Sequence, residues 1–304
     1  VSDERSGVAQ ELWNEHGAWS TAADKLKSTI ARSRSLILGL TIAGAALQTL
    51  AATVSSPNWR FGSGLVGFVA LALVPVMSGY FLTPAATRKW LRARSISEGI
   101  KSEFYRFRAA ADPYSGADRL DVLRHKVREI RDFGKDIEEV RARVHFASTP
   151  APADLDAGGY LDARIFQQIK EYYRPKAQRN AELAERFRSL QIALAIAAAA
   201  LGAAATVISR EAAGGHVPLA TKLASWVAVM TTIGGSLAAH AAASRYEFQT
   251  TTFFATARQL EDLTQDWRSS GKSQGSPEWS EFVRACEEVI SAENRAWMAK
   301  IEKE

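Results

Sequence analysis

Charge along this chain comes in blocks. Residues 35–59 carry none, nor do residues 61–87 or 189–209, and the run 223–244 holds a single titratable group, His240. A helix needs about 20 mostly apolar residues to cross the hydrocarbon core of a bilayer, so each run is long enough for one span. The first runs from Leu36 to Val54, and the second is richest between Gly64 and Val74. The third, Leu190 to Ile208, is rich in alanine, and the fourth extends from Leu223 to Ala243. Leucine and isoleucine insert readily while alanine is nearly neutral, so the first two spans carry the stronger insertion signal. A soluble bundle with Ala-rich buried helices is the competing reading, and it does not account for charge-free runs of this length. The pattern predicts an all-α membrane protein with four transmembrane helices, at about 35–56, 63–86, 189–209 and 223–244. They pair as two hairpins with long polar helical extensions.

Outside the spans the apolar positions recur at helical spacing. Between the hairpins, Leu120, Leu123, Val127, Ile130, Phe133, Ile137, Val140 and Val144 follow one another at intervals of three and four, with Gly134 as a weak point. Such a stripe needs a partner, most simply another polar-flanked helix. Ser148 to Gly159 is rich in Pro and Gly and predicts a linker. A helix restarts near Tyr160 and enters span three, with a kink expected at Pro175. Residues 245–268 continue span four as helix, Ser269 to Pro277 form a loop, and a charged amphipathic helix runs on to about Lys303. The organisation predicted is a first two-span unit at 1–115, a helix and linker at 116–159, and a second two-span unit at 160–304.

The net charge of +5 matters through its placement. Lys25, Lys27, Arg32 and Arg34 precede span one, and Arg88, Lys89, Arg92 and Arg94 follow span two. Arg174, Lys176, Arg179, Arg186 and Arg188 precede span three, and Arg245 and Arg258 follow span four. The turn near 55–63 has only Arg60, and that near 210–222 has Arg210 and Lys222. Positive residues stay on the cytoplasmic side. The expected location is therefore a bacterial inner membrane, with the N-terminus, the central region and the C-terminus in the cytoplasm and the two short turns outside. Clustering at span ends favours topology and anionic-lipid contact over nucleic-acid binding. Residues 1–34 lack an apolar segment followed by a small-residue cleavage site, so the first span is expected to serve as the insertion signal. Trp59, Trp90 and Trp226 lie where amphipathic rings would sit at headgroup level.

The two halves repeat. Arg34-Ser35-Leu36 lies 154 residues ahead of Arg188-Ser189-Leu190, Ala43 matches Ala197, and Trp19 falls opposite Tyr173. Both hairpins begin and end on the same side, so the repeat is parallel, with an expected pseudo-twofold axis along the membrane normal.

No catalytic constellation stands out. Five scattered histidines, His16, His125, His145, His216 and His240, lack metal-ligand spacing. No Gly-rich phosphate loop joins a strand to a helix. Cys286 is expected to be structural, in a reducing compartment. Glu138-Glu139 and Glu287-Glu288 read as solvated helix faces. The chain is thus expected to be no enzyme and to use no cofactor or metal. Thr231 to Ser236 resembles a potassium-filter sequence, but it lies within the only run available for span four, where a re-entrant loop cannot form. Gly235 with Ala239, and Gly39 with Ala43, are instead expected to let helices approach closely. The polar span residues Thr41, Gln48, Thr49, Ser78, Gln191, Thr206, Thr231, Thr232, Ser236 and His240 are the candidates to line a pore. The alternative for each is a hydrogen bond between helices.

Two longer patterns carry a resemblance. One is Tyr160-Leu161, Arg164-Ile165, Gln168, Tyr172-Tyr173, Lys176-Ala177 and Asn180, then a span pair, then Glu293-Asn294-Arg295-Ala296-Trp297. The other is Trp90-Leu91, Ala93-Arg94, Glu98 and Ile100-Lys101, followed by Tyr105-Arg106-Phe107 and Ala111-Asp112-Pro113-Tyr114. The first resembles the SLATT family, two-transmembrane effector domains of bacterial conflict systems, and the second resembles another branch of it. The resemblance implies a membrane effector that forms pores or perturbs the bilayer when a cytoplasmic protein partner or a nucleotide signal activates it. Four spans scarcely enclose a hydrated path, so a homo-oligomer is expected. Two chains would bring eight spans together. A membrane-anchored helical scaffold without a pore is the runner-up.

Overall fold

The computed structural model describes residues 2–211 and 217–301. Among these residues it contains helices and turns but no strand. Its order is α1 (Ser2–Thr53), α2 (Pro57–Phe81), α3 (Pro84–Arg108), α4 (Arg119–Phe133), a 3-10 turn (Lys135–Ile137), α5 (Glu138–Ala142) and α6 (Ala157–Tyr160). Two π-helical stretches (Leu161–Phe166 and Gln168–Tyr173), α7 (Arg174–Glu211), α8 (Val217–Ser244), α9 (Tyr246–Ser270) and α10 (Pro277–Ile301) follow. Four helical stretches are long and apolar enough to span a membrane, lying within 6–53, 57–81, 157–210 and 219–270. The chain is therefore an all-α multi-pass membrane protein. Of the turn expected at 210–222, residues 212–216, His216 among them, lie outside the described residues, while 210–211 close α7 and 217–222 open α8.

Local chemistry explains the breaks. Ser56 caps α2 in extended geometry with Pro57 just inside the helix, where a missing N–H costs nothing. Helix α2 ends at Phe81, with Leu82 as its cap, and Pro84 opens α3. Between α8 and α9 the break is a single residue, Arg245, at φ 53. The expected kink at Pro175 appears upstream as widened turns. The Arg174 N–H reaches back five residues to the Ile169 carbonyl, relieving the clash between the Pro175 ring and the preceding turn. Gly134 does interrupt the central helix, which ends at Phe133 and restarts through the 3-10 turn.

The chain divides into two compact units, and they cut across the sequence halves. One comprises 29–83 and 179–249, the four spans; the other comprises 1–28, 84–178 and 250–304. In the span unit, α1 and α2 meet at two glycines. A Cβ on Gly67 would lie 3.0 Å from the Leu47 Cβ and 3.2 Å from the Gly44 carbonyl oxygen. Gly39 and Gly235, expected at close contacts, instead face open space within this chain. The second hairpin buries Ala198, Ala205, Val229 and Leu237.

The other unit has two adjoining cores. The first joins Leu12, Trp19 and Ala23 of α1 to Ala93, Ile96, Ile100 and Phe107 of α3 and to Leu123 and Val127 of α4. The second joins Tyr160, Ile165, Ile169, Tyr173 and Ala177 to Phe253, Ala257 and Leu260 of α9 and to Trp279, Phe282, Val283 and Cys286 of α10. Phe104 and Tyr105 of α3 enter the second core, so α3 serves both. The repeat is visible in burial: Trp19 and Tyr173 are each buried, as are Ala23 and Ala177, while Leu36 and Leu190 are 51% and 52% exposed.

Candidate functional site

The polar span residues separate into groups. Thr206, Thr231 and Thr232 are exposed, and each hydroxyl donates to a carbonyl one turn back in its own helix: Thr206 to Gly202, Thr231 to Ala228 at 2.9 Å and Thr232 to Ala228 at 2.8 Å. This back-bonding lets a hydroxyl face an apolar medium at little cost while keeping oxygen lone pairs outward. Ser236 donates to Thr232 in the same way and is half-buried, as is Thr41, which donates to Ile37. Thr49 and Gln191 are half-buried, and Ser78 is exposed. Gln48 is different: its Nε2 donates to the Gly64 carbonyl of α2 at 3.1 Å. It is glue for the first hairpin, the structural alternative to pore lining. His240 lies 5.2 Å from the Phe187 ring and hydrogen-bonds the Arg34 backbone, joining α8, α7 and α1. Helix α8 runs unbroken through Thr231 to Ser236, so no filter loop exists there.

The outward faces of α2 and α8 differ, while α7 exposes Leu190, Ile192, Ile196 and Val207. On α2, Phe61, Leu65, Val66, Phe68, Val69 and Val76 are exposed. On α8 the exposed positions include Ala228, Thr231, Thr232, Gly235, Ala238 and Ala239, all small. Among the aromatic anchors, Trp59 is 68% exposed, while Trp226 is half-buried. Trp90 packs against the first core, with the Lys27 ammonium 5.8 Å above its ring.

The unit outside the spans holds a buried polar group whose pairing the sequence pattern did not reveal. Arg164 and Glu287 are 1% and 3% exposed and form a bidentate pair, Nε to Oε1 at 2.8 Å and Nη2 to Oε2 at 2.7 Å. The Tyr160 hydroxyl donates to Glu287 at 3.1 Å, and the guanidinium lies 4.8 Å from the Tyr105 ring. Glu287 is therefore a core residue and not part of a solvated face, which corrects the expectation for the Glu287-Glu288 pair. Glu138 is half-buried and Glu139 exposed, and they pair with Arg141 and Lys89. Cys286 is buried beside Glu287, and burial followed by that carboxylate pushes its thiol pKa up, opposite to the shift an activated thiolate requires.

Glu98, Lys101 and His16 lie next to this pair. Burial alone would raise the Glu98 pKa, but Lys101, Arg164, Arg94 and His16 outweigh it and hold the carboxyl below its usual range. Burial lowers the Lys101 pKa, and Arg164 adds to the effect. Burial, reinforced by Lys101, takes His16 down to about 4, so its imidazole is neutral at physiological pH. The ring sits 3.0 Å from the Ser97 carbonyl oxygen. The arrangement is a charge-balanced structural lock. Among the described residues, no group of His, Cys, Asp and Glu has metal-binding geometry. An open cleft of about 830 Å³ beside α1 is lined by Glu11, Glu15, Arg131, Lys135, Glu138 and Arg141. Its cations already meet acids: Arg131 with Glu15, Arg141 with Glu138 and Lys135 with Asp132.

The linker is tied down. Gln10 Nε2 donates to the Thr149 carbonyl at 2.8 Å and its Oε1 accepts from the Ala151 N–H, while Trp13 Nε1 donates to Thr149 Oγ1. Phe146 covers Gly17, where any Cβ would meet the ring. Asp154 pairs with Arg108 at 2.9 Å, and Gln274 bonds both Leu155 and Ala157. A Pro-rich composition signalled the missing secondary structure, but not these side-chain partners.

Comparison with known proteins matches the halves to separate families. Residues 17–121 match a family described as a protein of unknown function (DUF4231). Residues 160–297 match the SMODS and SLOG-associating 2TM effector domain 1. No curated protein and no solved structure matches the chain. The matched motif residues are structural in character, since Tyr105, Phe107, Ala111, Tyr114, Tyr160, Arg164, Tyr173 and Ala177 are all buried. Residues 160–297 of this membrane protein are thus similar to the SLATT family of two-transmembrane effector domains.

Proposed function

We propose that the chain is a non-enzymatic membrane effector of bacterial defence or conflict signalling that assembles into a homo-oligomeric pore. One observation carries the reading: α8 turns hydroxyls and small side chains outward at Thr231, Thr232, Gly235 and Ala238, whereas α2 turns outward large apolar groups. Large apolar groups suit lipid. Small residues and hydroxyls suit other helices or water. On this reading the pore candidates narrow to Thr206, Thr231, Thr232 and their neighbour Ser236, while Gln48 is released to packing. The polar helices lie in the cytoplasm of a bacterial inner membrane, where a partner protein or a nucleotide acts as trigger. Gating is a change between two packings of those helices that biases the spans. The test is conductance of the purified chain in planar bilayers. Conductance that falls when Thr231 and Thr232 become Leu supports the pore, and none under any activating condition overturns it.

A second reading is a membrane-anchored scaffold, favoured by the tied linker and the buried lock, which suit a fixed surface. It predicts that the spans can be exchanged for unrelated hairpins without loss of function.

A further inference from the structure

In the span unit, two arginines far apart in the sequence lie close enough to act on each other electrostatically. Arg34 immediately precedes span one and Arg245 immediately follows span four. The pair lies beside an aromatic group in which Phe187 stacks on Tyr246 at 5.7 Å and His240 bonds the Arg34 backbone. Two like charges in a half-buried setting repel each other and lose hydration. Burial pushes the Arg34 pKa down, the proximity of Arg245 adds to the effect, and Tyr246 opposes it. The Arg34 Nε is buried and has no hydrogen-bond acceptor among the described residues. A buried guanidinium N–H without an acceptor is costly. Arg245 is also fixed in a left-handed backbone conformation, φ 53, which a non-glycine residue adopts only when its surroundings hold it there.

We propose that Arg34 and Arg245 form a phosphate-binding site at the edge of the span unit, filled by the headgroup of an anionic phospholipid or by free phosphate. A phosphate group carries the charge and the acceptor oxygens that two guanidinium forks match. The flanking rings supply an amphipathic wall of the kind found at headgroup depth. The site is independent of pore formation, so it stands whether or not the chain conducts.

Native mass spectrometry of the full chain in detergent tests it, with dioleoyl phosphatidylglycerol, dioleoyl phosphatidylcholine and inorganic phosphate as probes. Phosphatidylglycerol should be retained in preference to phosphatidylcholine. Arg34→Gln and Arg245→Gln should each weaken retention about tenfold, the scale of one charge-assisted contact. Arg34→Lys keeps the charge and should weaken it less, which separates loss of the site from a folding defect. Displacement of the lipid by millimolar inorganic phosphate would identify a soluble anion as occupant; resistance to displacement would identify the lipid. Unchanged phosphatidylglycerol retention in the Arg34→Gln, Arg245→Gln double variant would overturn the proposal.

Discussion

The two halves of the chain follow the same path, yet different contacts hold them together. In the first, the hairpin is locked by backbone approach at Gly44 and Gly67 and by the Gln48 bond to Gly64, and its outward surface is large and apolar. In the second, the lock lies outside the spans, in the Arg164–Glu287 pair, and α8 turns outward small residues and hydroxyls. Gln10, the counterpart of Arg164 at the repeat offset, shows the divergence at one position. Gln10 holds the linker from the surface, whereas Arg164 is buried in a core. A hairpin with its own cement is suited to sit in lipid. A span with a bare small-residue face, such as α8, is suited to meet other helices.

The largest expected effect removes the second half's lock. Glu287→Ala leaves Arg164 buried and uncompensated, and should destabilise the chain by about 3–5 kcal/mol, read as a lower unfolding midpoint in detergent. Its counterpart Gln10→Ala gives up surface hydrogen bonds and should cost no more than about 1.5 kcal/mol. Equal effects would erase the contrast between the halves.

Acid probes the first half next. His16 has a folded pKa of about 4, below its ordinary 6.5, so the unfolded chain takes up this proton first. Its contribution is complete above about pH 6.5 and is lost as pH falls toward about 4, on the order of 2–3 kcal/mol. A neutral His16→Asn variant should flatten that part of the stability curve, as measured by midpoints across the window.

Helix approach gives a smaller effect. Gly67→Leu drives a side chain into the Gly44 and Gln48 backbone and should cost about 1–3 kcal/mol, while Gly235→Leu meets open space within the chain and should leave the monomer's midpoint unchanged. Gln48→Leu, which removes one bond between spans, should cost only about 0.6–2 kcal/mol.

The spans were legible because a bilayer requires what sequence displays directly, about 20 residues without charge. The break at Gly134 was legible because glycine is a poor helix former, whereas the one before Pro84 falls inside the span expected at 63–86. Periodicity at 3.6 residues does not register a π-helical stretch, so the widened turns before Pro175 were not foreseen. Nor does a non-glycine residue at positive φ announce itself, and the single-residue break at Arg245 was read as continuous helix. Glu287 was misjudged because a Glu-Glu pair reads as solvent-facing. Its place beside Cys286, between Val283 and Ile290, was the available clue to burial. Among the pore candidates, residue type could not separate Gln48, which bonds across to α2, from Thr231 and Thr232, which face outward. That distinction depends on which way each helix is turned.

The most direct test is water access along the two hairpins. In a Cys286→Ser background reconstituted in liposomes, Thr231→Cys and Leu65→Cys would each be treated with a membrane-impermeant thiol reagent under activating conditions. The account predicts rapid labelling at position 231 and none at position 65. Protection of both positions, or labelling of position 65 alone, would contradict it.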